Sequence, residues 1–381
     1  MALAAVCAIT ACSSGAAARP TPAPPPTPSP TPTPPPPCVQ AAAARPAAGV
    51  TSANPVLLLA AGLNGPDDLL YLAADGTVLV GEHGNGHLAK VGGAARLTRL
   101  PQVVPQAEGI AQIGDTIYVA DQVHNRVVAL TATGVRTILQ LVPDPSGLNL
   151  DGIDSNGTQL IVPDSPHGTV LFVDPSGRIT ARQGGFARPA GVWANPSGQG
   201  GRYLVADENL NAVFELLNAG GFTRLAGNLP GVDDVVRASD SHVLVTLPAL
   251  GTIRDVTTGR DIARGLRNPQ GLGFDGAQNL LVTESDAGRL DLLVRTFAIQ
   301  VPAAAVKLLP GQPVCLGILR APGFTGTLNV QQITGATVAV PPSDSSSFEV
   351  VPGPCASPAC TVSVVVGSAA GPEVAYFTYR D

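Results

Sequence analysis

An all-β fold, a six-bladed β-propeller followed by a small C-terminal β-sandwich, is what this sequence predicts, and three observations predict it. A short motif recurs six times: an acidic or polar residue, usually a glycine, then an aliphatic residue that opens a strand. It reads Pro66-Asp67-Asp68-Leu69, Ala107-Glu108-Gly109-Ile110, Leu150-Asp151-Gly152-Ile153, Pro189-Ala190-Gly191-Val192, Val232-Asp233-Asp234-Val235 and Pro269-Gln270-Gly271-Leu272. Its second residue falls at 67, 108, 151, 190, 233 and 270, giving spacings of 41, 43, 39, 43 and 37. A period near 40 built from short apolar runs is the mark of one four-stranded blade per repeat. Second, each repeat continues with β-branched and leucine-rich runs cut by Gly, Asn and Asp turns, and helix-period stretches are essentially absent. Third, Leu59-Ala60-Ala61-Gly62-Leu63-Asn64-Gly65-Pro66 repeats the pattern of Ile262-Ala263-Arg264-Gly265-Leu266-Arg267-Asn268-Pro269. Residues 54–60 therefore form an outer strand with no blade of their own, and placing it as the fourth strand of the last blade removes two open edges.

Taken in order, residues 1–11 are a short apolar segment ending in Ile9-Thr10-Ala11-Cys12-Ser13-Ser14, which resembles a bacterial lipobox. The expectation is a lipoprotein signal peptide cut before Cys12, whose thiol is acylated and holds the protein to a membrane's outer face. Residues 12–51 then form a stalk. Its run RPTPAPPPTPSPTPTPPPP at 19–37 lacks backbone N–H groups and favours polyproline II, so it would hold the domain roughly 50–60 Å from its anchor. The blades occupy 52–297, and 298–381 is β-rich with six or seven short strands. Val306-Lys307-Leu308-Leu309-Pro310-Gly311-Gln312 in that region resembles the opening of bacterial Ig-like modules. Of six cysteines, Cys7 and Cys12 belong to the export signal. Cys38, Cys315, Cys355 and Cys360 are an even set for an oxidising compartment; Cys355 and Cys360 can close a small loop and leave Cys38 to Cys315, though the sequence does not choose among three connectivities.

The charged fraction is 13% and the net charge −6, which argues against nucleic acid and leaves the lipid anchor as the only membrane contact. There is no G-x-S-x-G, H-E-x-x-H, C-x-x-C or P-loop, which disfavours serine-hydrolase, zinc-protease and nucleotide chemistry. What the repeats do supply is a ring. The first strand of a blade lines the central channel, so Asp67, Glu108, Asp151, Ala190, Asp233 and Gln270 converge at one mouth. Four carboxylates there repel one another, so some are protonated or a cation sits among them; oxygen-only donors favour Ca²⁺ before Mg²⁺ or Mn²⁺. The alternative is that these carboxylates only accept backbone N–H groups or channel water. A second recurring acid, Glu82, Asp121, Asp164, Asp207 and Glu284, precedes a tight turn and reads as its brace, and His124 and His167 read as turn residues beside it.

Ala107-Glu108-Gly109-Ile110, Ile117-Tyr118-Val119-Ala120-Asp121 and His124-Asn125-Arg126-Val127 resemble the NHL repeat, and the chain is similar to the NHL and SMP-30/gluconolactonase-like six-bladed propellers over about two thirds of its length. The resemblance implies a divalent ion held by Asp67, Glu108, Asp151 and Asp233 and, on the enzymatic reading, a metal-dependent lactonase or related hydrolase, while Gln270, by its place in the same motif phase, is a ligand-binding candidate. The expected function is recognition of a small molecule, glycan or surface protein at the channel mouth; a purely structural envelope protein is the third class.

Overall fold

The computed structural model describes residues 38–92, 97–195, 202–217, 220–302, 308–342, 346–357 and 359–379; the expected signal segment, Cys12 and the proline run lie outside them. The described chain is all-β apart from three single-turn 3₁₀ segments. Six antiparallel sheets follow one another in the chain. The first is Pro66–Leu72, Thr77–Glu82, His87–Val91 and Leu97–Val103, and the second is Ala107–Ile113, Thr116–Asp121, Arg126–Thr131 and Gly134–Gln140. The third, fourth and fifth open with Asp154–Ser155, Pro189–Ala194 and Val235–Arg237. The sixth has Pro269–Phe274, Leu280–Glu284 and Arg289–Leu293, and its outer strand is Val56–Ala61 from the other end of the chain, paired from Arg289↔Ala61 to Leu293↔Val56. Each opening strand lies against that of the next sheet, the sixth against the first.

The second strands, such as Thr77–Glu82 and Leu160–Asp164, are buried at every residue because both faces are covered by neighbouring sheets, which is why they read as unbroken apolar runs. Outer strands such as Ile179–Gly184 face solvent and are exposed or half-buried throughout. The connection from second to third strand is the most regular feature. Gly86, Asn125, Gly168, Asn211, Gly251 and Gly288 occupy it in the six sheets, all with φ between 47° and 72°. Only glycine or asparagine takes that left-handed conformation cheaply, which explains the alternation of these two residues along the repeats.

The acids before that turn are braces. Glu82 accepts from Asn64 N at 2.7 Å and Arg99 Nε at 2.6 Å, and Glu284 from Arg267 N at 2.6 Å and Arg289 Nε at 2.7 Å. His124 and His167 pair with Asp121 and Asp164 at 2.9 and 2.7 Å. Asp207, fully buried, accepts from Ala187 N, Arg188 N and Leu210 N at 2.7, 3.1 and 2.9 Å. Asp207→Ala orphans three backbone donors at 1–3 kcal/mol each, so a loss of about 3 kcal/mol or more is expected, a fall of about 6–12 °C in a thermal melt. An unchanged melting point would remove the brace role.

After the ring, Phe297–Gln300, Val314–Arg320, Ser347–Pro352 and Ala336–Val340 form one sheet, and Asn329–Thr334, Cys360–Ser368 and Gly371–Tyr379 a second. Phe297, Leu316, Phe348, Val364 and Phe377 pack between them. Val39–Gln40 adds to the first sheet beside Val314 and Cys315, and the disulfides are Cys38–Cys315 and Cys355–Cys360. This unit rests on turns of the first and sixth sheets: Tyr376 Oη donates to Asp75 O at 2.5 Å, and Pro372 abuts Gly276.

Candidate functional site

The motif that phases the repeats is structurally a bulge. In the first, second, fourth and sixth sheets the pairing register jumps between Pro66 and Leu69, Ala107 and Ile110, Pro189 and Val192, and Pro269 and Leu272. Two residues there oppose one on the second strand, which frees them from the ladder and turns them to the axis. Where glycine is the second of the pair, the strands converge too closely for a side chain. A Cβ on Gly109 would lie 2.0 Å from Ile153 N, and one on Gly271 would lie 2.7 Å from Asp67 O.

Asp67, Asp68, Asp151, Asp233 and Asp234, with Gly152, Gly191 and Gly271, enclose a neck of about 10 Å³, room for about one water. Glu108, buried, stands beside it. Burial first, and then the charge of Glu108, pushes the Asp67 carboxyl well above its ordinary range; burial and then Asp151 do the same to Glu108, and burial with Asp151 and Asp67 to Asp233. Asp151 is also raised by burial, but Arg188 opposes the shift: its Nη2 donates to Asp151 Oδ2 at 3.0 Å while its Nε donates to Glu208. Arg188 thus supplies a built-in cation in the sector where the fourth sheet offers only Ala190.

Two further features come only from the structure. His83, from the turn after the second strand of the first sheet, brings Nδ1 to 2.5 Å from Glu108 Oε1; single donor atoms of Asp67, His83 and Glu108 all lie within 4.8 Å of one another. The other is a set of bridges between sheets. Asp68 accepts from its neighbour Leu69 N at 2.7 Å and from Ile110 N of the next sheet at 2.8 Å. Asp154 does the same with Ser155 N and Ala194 N, and Asp234 with Val235 N and Leu272 N, all at 2.7 Å. Sheets one, three and five are each tied to their successor this way. Gln270 shares the phase of the carboxylates but donates its amide to Asn268 Oδ1 at 3.1 Å and does not line the neck.

A ring of six sheets, five of four strands and one to which Thr51–Ser52 adds a fifth, around an acidic, glycine-lined axis defines a β-propeller-like protein with its polar site on the axis. The ring has the fold of the gluconolactonase-like propellers. A gluconolactonase from Xanthomonas campestris superposes with a TM-score of 0.52 at 14% identity, over 66% of this chain and 97% of that one. The calcium-binding protein regucalcin from Agrobacterium tumefaciens gives 0.49 at 16% identity, over 67% and 95%. Virginiamycin B lyase from Staphylococcus aureus gives 0.45 at 13% identity, over 71% and 95%. No protein-family model and no curated protein matches this sequence.

Proposed function

We propose that the six sheets are the blades of one propeller whose neck holds a divalent cation of the Ca²⁺ type, and whose mouth above it binds a small oxygen-rich molecule or the end of a glycan. The observation that carries this is a shortage of positive charge. Asp67 and Asp233 line a space one ion wide with Glu108 beside it, and the one arginine among the described residues that pairs with a ring carboxylate is spent on Asp151 and Glu208. The donors fit a cation: carboxylate oxygens with one imidazole nitrogen, near enough to share one centre. Asp67, His83, Glu108 and Asp233 would hold it, with Asp151 kept apart by Arg188. The export signal and stalk would present this mouth outside the cell, with the C-terminal Ig-like sandwich as a spacer or adhesive module.

In thermal unfolding of a soluble form beginning at Cys38, calcium at a hundredfold excess over its Kd should add about 2.7 kcal/mol, raising the melting point by several degrees over EDTA. Asp67→Asn with Asp233→Asn should abolish that rise. If calcium, magnesium and manganese all leave the melt unmoved, the carboxylates are architectural.

The contact between His83 and Glu108 favours a second reading, hydrolysis of a lactone. A bound cation supplies polarisation of a carbonyl oxygen. Glu108 and His83 are placed to take a proton from water and pass it outward, since His83 is about one third exposed. A lactone panel against wild type and Glu108→Gln separates the readings, because a binder turns over nothing.

A further inference from the structure

Past the neck, the axis widens into a second cavity of about 670 Å³, within the range of small-ligand sites. Asp68, Gly152 and Asp234 line both spaces, so the neck is the chamber's floor and is too narrow for anything larger than about a water. Its walls come from residues farther along the opening strands, so it lies on the side away from the carboxylate mouth and is entered from the opposite face. One part of the wall is apolar, with Ile110, Ile153, Val192, Leu272 and the rings of Trp193 and Phe274, and Asn195, Ser239, Ser241, Asp275 and Gln278 also line the chamber. Near the floor are the three bridging carboxylates, Asp68, Asp154 and Asp234. Each uses two of roughly four lone-pair sites on backbone N–H groups, and among the described residues no lysine, arginine or histidine forms an ion pair with any of them. One wall also carries an unspent donor. Arg237 lies 5.8 Å from the Trp193 ring and gives Nη2 to Glu215 at 2.8 Å, while its Nε is buried without a partner.

We propose that this chamber is a second ligand site, separate from the neck, which takes a small organic ammonium compound with an apolar or aromatic body. The ammonium sits on the floor, the body lies against Trp193 and Phe274, and an acceptor oxygen, where the ligand has one, meets Arg237 Nε. Above about pH 7, where Asp154 and Asp234 ionise, a neutral molecule would leave the floor uncompensated, an anion would be repelled by it, and a hydrated inorganic ion would make no use of the walls.

Trp193 is the sole tryptophan of the chain, so its emission reports directly on the chamber. The full-length protein is titrated at about pH 8, above the values near 7 of Asp154 and Asp234, with phenethylamine, with its neutral counterpart 2-phenylethanol, and with ammonium chloride. Phenethylamine should give a saturable change in Trp193 emission. The alcohol should bind at least about tenfold more weakly, the worth of one charge-assisted hydrogen bond, and ammonium chloride should do nothing at the same concentration. Asp154→Asn, which keeps an acceptor oxygen for Ala194 N, should lose that discrimination; Phe274→Leu should weaken both organic ligands and keep it. No saturable response to phenethylamine overturns the site. An equal response to amine and alcohol, or a matching response to ammonium chloride, overturns the ligand class. Unchanged titrations in both folded variants overturn the location.

Discussion

Without divalent cations, the protein is expected to melt higher at pH 5 than at pH 8, by on the order of 10 °C. The axial acids drive this. Burial pushes Asp154 and Asp234 up to about 7, against the pull of the backbone donors they accept. Burial and then the neighbouring Glu284 push Asp291, paired beside Leu58 of the strand that closes the ring, up to about 8. Asp67, Glu108 and Asp233 stand well above their ordinary values, for the reasons given above. In the unfolded chain all of them titrate near 4. A folded-state value above the unfolded one means the native protein holds protons that the unfolded chain has released. The stabilisation is complete below about pH 4 and is lost as the pH rises through about 7–8. The opposite group is smaller. Burial raises Glu82 but hydrogen bonds from Arg99 and Asn64 outweigh it, and Arg254 holds Asp261 low; their contribution is lost only as the pH falls below about 4. Scanning calorimetry in EDTA at pH 5, 6.5 and 8 measures the slope, and a flat profile would show that the acids find compensation within the fold. Calcium should flatten the profile from the alkaline side, because an ion in the neck replaces the lost protons.

Gly109→Ala should cost about 3 kcal/mol or more, from the upper end of overpacking upward, and lower the melting point by about 6–12 °C. The new methyl would stand 2.0 Å from Ile153 N, 2.5 Å from Gly152 C and 2.8 Å from Gly152 Cα. All three are backbone atoms, so no side chain can swing away. The second and third sheets must separate at the axis, which also strains the bond from Asp68 to Ile110 N. Gly184→Ala is the matched control: its nearest neighbour would be Thr169 Oγ1 at 3.7 Å, and it should change stability little. Equal melting points for the two variants would mean that the neck is wider in solution than 10 Å³ suggests.

What was legible in the sequence was whatever the repeat period carries. Asp67, Glu108, Asp151 and Asp233 come together because they share one phase of the motif, turned inward by the bulge at Asp67 and Glu108 and by the segment just before the opening strand at Asp151 and Asp233. The closing strand was legible because residues 59–66 repeat 262–269. The pairing of Cys38 with Cys315 had no such signal and was one of three choices. His83 and Arg188 were illegible for a physical reason. Each reaches the axis from a loop and acts on a carboxylate of the following or preceding sheet, so its partner lies 25 or 37 residues away with no periodic signal. Gln270 shows the converse, since its phase is right but its longer amide is drawn aside by Asn268. The doublets Asp67-Asp68 and Asp233-Asp234 were visible as sequence, but that their second members tie adjacent sheets together required the backbone donors of the next sheet to be in place.

The disulfide between Cys38 and Cys315 spans 277 residues, and Val39–Gln40 lies parallel to Val314 and Cys315 beside it. Its consequence is mechanical. A pull on the chain at Cys38 passes through the sulfur–sulfur bond into the strand Val314–Arg320 before any hydrogen bond of the ring is loaded. The closing strand Val56–Ala61, whose removal would open the ring, lies on the slack side of that link. The oxidised protein can therefore carry tension at its N-terminal end while the propeller and both of its cavities keep their shape.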